Sequence, residues 1–144
     1  VKVLHLWIGF FFTAWALTAG CGVKAPPVPP KRLPPAAVID LTGAMAGDVL
    51  QLAWGIPGVG DDASEASGFA VYRAKTPMEE AECRDCPLIF QRIIQISVTP
   101  SQRQDGRMTF SEPLEKGYRY HYKLRSYDAF GAAGDDSNTF SVDY

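Results

Sequence analysis

Residues 118–126 read Tyr-Arg-Tyr-His-Tyr-Lys-Leu-Arg-Ser, an unbroken alternation of apolar and polar side chains. Successive side chains of a β-strand point to opposite faces. A strand here puts Tyr118, Tyr120, Tyr122 and Leu124 on one side and Arg119, His121, Lys123 and Arg125 on the other. A helix would scatter both sets around its axis. A strand that is wet on one face belongs to an antiparallel sheet, and its apolar face needs a second layer to cover it. The same period recurs elsewhere. Leu50, Leu52 and Trp54 alternate with Gln51 and Ala53, Phe69 and Val71 flank Ala70, and Met108 and Phe110 alternate with Thr109 and Ser111. Residues 38–42, the β-branched run 90–98 and the terminal Phe140 and Val142 complete seven strands, with no helix longer than a turn. The 13 Gly and 11 Pro supply the turns between them. The expectation is an all-β fold, a seven-stranded antiparallel β-sandwich over residues 37–144.

The first twenty residues obey a different rule. Lys2 is their one charged residue, and residues 4–17 are mostly large and apolar. A bilayer-spanning helix needs about 20 such residues, whereas the core of an export signal needs about 7–15. Residues 1–20 therefore read as a leader. Leu17-Thr18-Ala19-Gly20-Cys21 follows, and this segment resembles the lipobox of bacterial lipoproteins. The small residues let a peptidase reach extended backbone, and the resemblance makes the Cys21 thiol the acceptor of diacylglycerol. Such a cysteine carries two or three acyl chains of the palmitate kind. At about 0.8 kcal/mol per buried methylene, that is a lasting membrane anchor. In enterobacterial sorting, Asp after the cysteine retains a lipoprotein at the inner membrane. Gly22 stands there, which implies an outer-membrane lipoprotein facing the periplasm.

Residues 21–36 then form the lipidated cysteine and its tether. Six of residues 22–36 are proline, which fixes φ and lacks an amide hydrogen, so neither helix nor central strand can form. Polyproline II, at about 3.1 Å per residue, would hold a domain roughly 45 Å from the membrane. A stiff spacer is the preferred reading over a ligand for a proline-binding partner.

The remaining residues carry a second resemblance. Leu41, Leu52-Ala-Trp54 before Pro57, Gly68-Phe-Ala-Val-Tyr-Arg73, Leu114-x-x-Gly117-x-x-Tyr120-x-Tyr122-x-Leu124-x-Ser126 and Gly131 fall in the order of the fibronectin type III fold, an immunoglobulin-like sandwich. The resemblance implies that Trp54 fills the centre of the core. It makes Tyr120 the tyrosine corner, its hydroxyl bonded to backbone between Leu114 and Gly117. Phe69, Val71, Leu114, Tyr122 and Leu124 join the expected core. Residues 75–88 depart from the family as a longer insertion, and they carry Cys83 and Cys86.

Cys83-Arg-Asp-Cys86 is the one motif with chemical promise, and three readings compete. A structural disulfide suits a chain exported to an oxidising compartment; it closes a short loop, for which chain entropy gives about 2 kcal/mol. A thioredoxin-like redox pair needs a helix N-terminus to favour the thiolate, and Glu79, Glu80 and Glu82 oppose one here. A structural zinc site wants four ligands, and past the leader His121 is the one histidine. The disulfide is the preferred reading, and no metal site is expected. His121, between Arg119 and Lys123 on the polar face, reads as a solvated strand residue rather than a general base. Asp61-Asp62 and Asp135-Asp136 sit in glycine-bearing stretches without the spacing of a calcium loop. A net charge of −2 gives no basic patch for nucleic acid.

Together these features lead to a non-enzymatic binding or structural lipoprotein, with no catalytic residues and no cofactor beyond the covalent lipid on Cys21. Its partners are the membrane, through the anchor, and a protein or cell-wall component met through residues 75–88 or, second, 55–67. An accessory factor for assembly of an envelope complex is the alternative, and a thiol oxidoreductase the more distant one.

Overall fold

The alternating run becomes the strand on which the rest of the sandwich is registered. A computed structural model of the chain describes residues 33–58, 63–79 and 87–144, all within one unit, Lys31–Tyr144. Its elements are β1 (Thr42–Ala46), β2 (Val49–Gly55), β3 (Gly68–Pro77), β4 (Gln91–Ser97), α1 (Pro100–Asp105), β5 (Arg107–Pro113), β6 (Tyr118–Tyr127), β7 (Ala133–Asp136) and β8 (Phe140–Asp143). One sheet has the order β1-β2-β5, the other β4-β3-β6-β7, with β8 also paired to β6. Every strand pairing is antiparallel. The fold is the expected antiparallel β-sandwich.

The core lies between the two sheets and follows the period-two pattern. Leu50, Leu52 and Trp54 on β2 face Phe69 and Val71 on β3 and Tyr120, Tyr122 and Leu124 on β6, and all are buried. Val38, Leu41, Met108 and Leu114 close it. Burial of each large apolar side chain contributes about 1.5–3 kcal/mol. Trp54 meets Phe69 edge-on, with ring centroids 5.6 Å apart and planes at 74°. Its Nε1 has no acceptor among the described residues, so the indole serves here as volume rather than as a donor.

The architecture differs from the sequence reading in four places. The described residues hold eight strands rather than seven, because the last one is split. β7 and β8 both pair with β6, and between them Ser137 bonds Leu124 through both its backbone and its hydroxyl. Next to it, the Asn138 amide accepts from the Leu41 N–H and donates to the Leu41 C=O, both at 2.9 Å. A side-chain amide thus stands in for a strand at the seam between the two sheets. The first strand starts at Thr42 rather than Val38, since Leu41 spends its backbone groups on Asn138. A six-residue helix, α1, was not expected. Thr99 and Gln102 form a reciprocal capping box, Pro100 opens the first turn and Gly106 at φ 67° ends it. Finally, β3 runs on through Pro77, whose partner is Tyr118, so Lys75–Pro77 belongs to the sheet rather than to an insertion.

The register defines two ends. Gly68 pairs with both Tyr127 and Ser97, and Ile56 donates to Gly106, so the 55–67 connection, α1 and the turn after β6 share one end. Residues 33–36 lie there too. Pro35 is buried and bridges to Ser64, Ser126 Oγ donates to the Ala36 carbonyl at 2.8 Å, and a Cβ added at Gly134 would collide with the Pro35 carbonyl oxygen. The expected tether therefore gives way to a docked segment before Ala37. At the other end, Leu114 donates to Asp48, Gly117 donates to Tyr144, and Met78 leaves β3. A ten-residue strand such as β6 separates the two ends by about 30 Å.

Candidate binding surface

Cys21, Cys83, Cys86, Asp61 and Asp62 lie outside the described residues. Of the two surfaces named from sequence, the flanks of the 75–88 stretch are described. Met78 and Leu88 are each 43% exposed and Ile89 is 77% exposed. Exposed large apolar side chains at the margin of a charged domain are candidates for a contact surface. The second surface, around 55–67, is held down where it is described. Both carboxylate oxygens of Asp40 accept from the Gly55 N–H at 3.0 Å, and Arg103 reaches the Ala66 carbonyl and pairs with Glu65.

Behind Met78 the sandwich ends in a set of polar groups, each of them satisfied. Tyr120 is buried, and its hydroxyl accepts from the Glu115 N–H at 2.9 Å and donates to the Glu115 C=O at 3.0 Å, pinning the turn that leads into β6. The Tyr122 hydroxyl donates to Glu112, whose other oxygen takes Arg73 at 2.9 Å. Burial, the hydrogen bond to Glu112 and its charge push the Tyr122 phenol well above its ordinary value, so it stays protonated. Lys75 bonds Glu115 at 2.8 Å and lies 3.7 Å from the centre of the Tyr118 ring, and this raises the ammonium above its usual value, chiefly through the bond to Glu115. Arg73 on β3 and Glu112 on β5 thereby tie the two sheets together at this end.

The outer face of β6 carries the opposite arrangement. Arg119 forks onto Asp143 through Nε and Nη2 at 2.6 and 2.8 Å. Lys123 and Arg125 share Asp136, with Lys123 at 2.7 Å. These bonds hold both aspartates below the usual carboxylate range, Asp136 chiefly through Arg125 and Asp143 through Arg119. His121 bonds Ser141 at 2.7 Å between its rows of cations, and desolvation, then Arg119, lowers its imidazole. Asp135 and Asp136 stand in β7 rather than in a loop.

The arrangement pairs charges and satisfies hydroxyls. Among the described residues no three His, Cys, Asp or Glu side chains gather to hold a metal ion. Arg73 and Glu112 were missed from sequence, although a signal existed. Phe69, Val71 and Arg73 share one strand face, as do Met108, Phe110 and Glu112, so each alternation delivers a charge to the inner side.

Order of strands, core and end loops define a fibronectin type III-like β-sandwich. Among solved structures, the third fibronectin III domain of human KIAA0343 protein superimposes with a TM-score of 0.58 at 13% identity, covering 85% of this chain and 91% of that one. The twitchin kinase region from C. elegans matches with a TM-score of 0.52 at 12% identity, over 76% of this chain and 16% of that one. At such identities the likeness is one of fold. No protein-family model and no curated protein sequence matches the chain.

Proposed function

We propose that this chain is a lipid-anchored envelope lipoprotein whose sandwich is a non-catalytic binding module. In this reading Cys21 carries the acyl chains, the protein faces the periplasm from the outer membrane, and the surface around Met78, Leu88 and Ile89 meets a protein or cell-wall partner. One observation carries the reading: residues 33–36 lie at one end of the sandwich and the exposed apolar flanks at the other, about 30 Å away. A domain held from its N-terminal side would turn that surface outward. The fold likeness supports a module rather than an enzyme.

Two measurements test this. Intact-mass analysis of protein from membranes should find a chain beginning at acylated Cys21, and a Cys21→Ala variant should lose the added mass. An unacylated chain that keeps residues 1–20 would overturn the anchor. A photo-crosslinking residue at Ile89 should capture the partner, whereas one at the equally exposed Ile39, at the other end, should not. Capture from 39 alone would overturn the choice of surface. Cells in which anchor and tether alone restore function would favour the assembly-factor alternative.

A further inference from the structure

Turns at a protein surface are ordinarily polar, and the tight turns at the Met78 end obey that rule. Asp48 follows Gly47 between β1 and β2, and Glu115 and Lys116 precede Gly117 between β5 and β6. The turn between β6 and β7, at the end where residues 33–36 dock, does not. From Ala129 to Gly134 the chain reads Ala-Phe-Gly-Ala-Ala-Gly, with no side chain that carries charge or forms a hydrogen bond. Ala129, Gly131 and Ala133 are exposed, and Phe130 at the tip is 75% exposed.

Hydrogen bonds enforce that exposure. Asp128 is only 5% exposed, and its carboxylate turns back beneath the tip. There Oδ1 accepts from the N–H groups of Phe130 and Ala132, both at 2.8 Å. The Gly131 N–H donates to the Asp128 C=O at 3.1 Å, and the Asp128 N–H to the Ala132 C=O at 3.0 Å. Gly131, at φ 86°, takes the left-handed conformation that closes the turn. The amides of residues 130, 131 and 132 are therefore all bonded inside the turn. An amide left unbonded in a medium without water is costly, and these three reach the tip already satisfied.

The course of the chain says what lies at this end. The Pro35 backbone lies against Gly134, and Ser126 holds Ala36, so residues 1–32 join the domain beside this turn. They include the apolar run 4–17 and Cys21. We propose that the Ala129–Gly134 turn rests on the bilayer that holds the anchor, with Phe130 inserted where headgroups meet acyl chains. This rests on the membrane anchoring proposed above and adds a second point of contact with the bilayer. Residues 22–32 span at most roughly 35 Å when extended. They hold the turn at an effective concentration of roughly millimolar at the surface, enough for a contact too weak to bind a free protein. Asp135 limits the depth. It stands two residues past Ala133, about 7 Å along the strand, so the insertion is shallow. A domain seated on this end leaves Met78, Leu88 and Ile89 facing away from the membrane.

The test uses the full chain, purified from membranes and reconstituted in phosphatidylcholine vesicles with acyl chains brominated near the headgroup. Phe130→Trp adds a fluorophore at the tip, and the parent chain supplies the background of its other tryptophans. The added emission should shift to the blue and lose roughly half or more of its intensity to bromine. Ile89→Trp, at the other end, should lose none. Quenching at 130 should persist in high salt, because burial rather than charge holds the contact. Phe130→Ser, read through Ala133→Trp, should abolish quenching at the tip, and circular dichroism establishes that each variant is folded. A chain that floats with the vesicles while Phe130→Trp goes unquenched would overturn the contact and leave the anchor standing. Quenching at 130 in a chain whose Cys21 is unacylated would support the contact and overturn the acyl anchor. A chain that does not float overturns both. Equal quenching at 89, or a photo-crosslinker at 130 that captures a protein in place of lipid, would also overturn the contact.

Discussion

β6 has two faces that differ in what holds them. Its inner face, Tyr120, Tyr122, Leu124 and Ser126, is buried, and its polar atoms bond to backbone or to Glu112. Its outer face is a ladder of three cations, Arg119, Lys123 and Arg125, matched by Asp143 and Asp136, with His121 bonded to Ser141 between them. The inner face rests on burial, which salt and pH barely touch. The outer face rests on ion pairs in contact with water, which contribute little each and are screened. One strand therefore carries both the stability of the domain and a surface free to vary without unfolding it.

The largest effect should come from the inner face. Leu124→Ala leaves a cavity between β3 and β2 and should cost about 2–5 kcal/mol, read as a lower urea midpoint at constant slope. Tyr120→Phe keeps the ring but strands the Glu115 N–H, at a cost of about 1–3 kcal/mol. The neighbouring Lys123→Ala should cost about 1 kcal/mol or less. If it costs as much as Leu124→Ala, the distinction between the faces fails.

The smallest effects are those of pH. Asp136 and Asp143 titrate lower in the fold than in the unfolded chain, near 3.9. Their stabilisation is complete above that value and is lost as pH falls through the lowered one, because the unfolded chain takes up protons first. His121 is also lowered, so the unfolded chain again binds its proton first, and stability declines as pH falls from about 6.5 toward the lowered value. Denaturation midpoints should fall in two steps on acidification. His121→Gln should remove the upper step alone, and high salt should shrink the lower one.

How much of this could be read beforehand depended on the range of each interaction. The two faces of 118–126 were legible because alternation is local. The helix was missed because its six residues bury nothing and so leave no apolar period, although Thr99, Pro100 and Gln102 spell its cap. The split of the last strand was illegible, since Asn138 answers Leu41 across 97 residues. In the candidate surface, Arg73 and Glu112 were each assignable to an inner face, but their meeting 39 residues apart required the fold. The stretch 75–88 stood out in the sequence as a departure from the family, but the exposure of Met78, Leu88 and Ile89 did not, because such residues look like core until their neighbours are placed.

The amide of Asn138 has a mechanical consequence. Residues 33–36 and Tyr144 sit at opposite ends of the sandwich, so a pull applied between these two points runs along the strands. The paired strands are then sheared, with many hydrogen bonds strained at once, and cannot peel open bond by bond. β1 and β8 share no ladder, and Asn138 is the rivet joining their seam. In single-molecule stretching, Asn138→Ala should lower the rupture force more than its small loss of equilibrium stability would suggest.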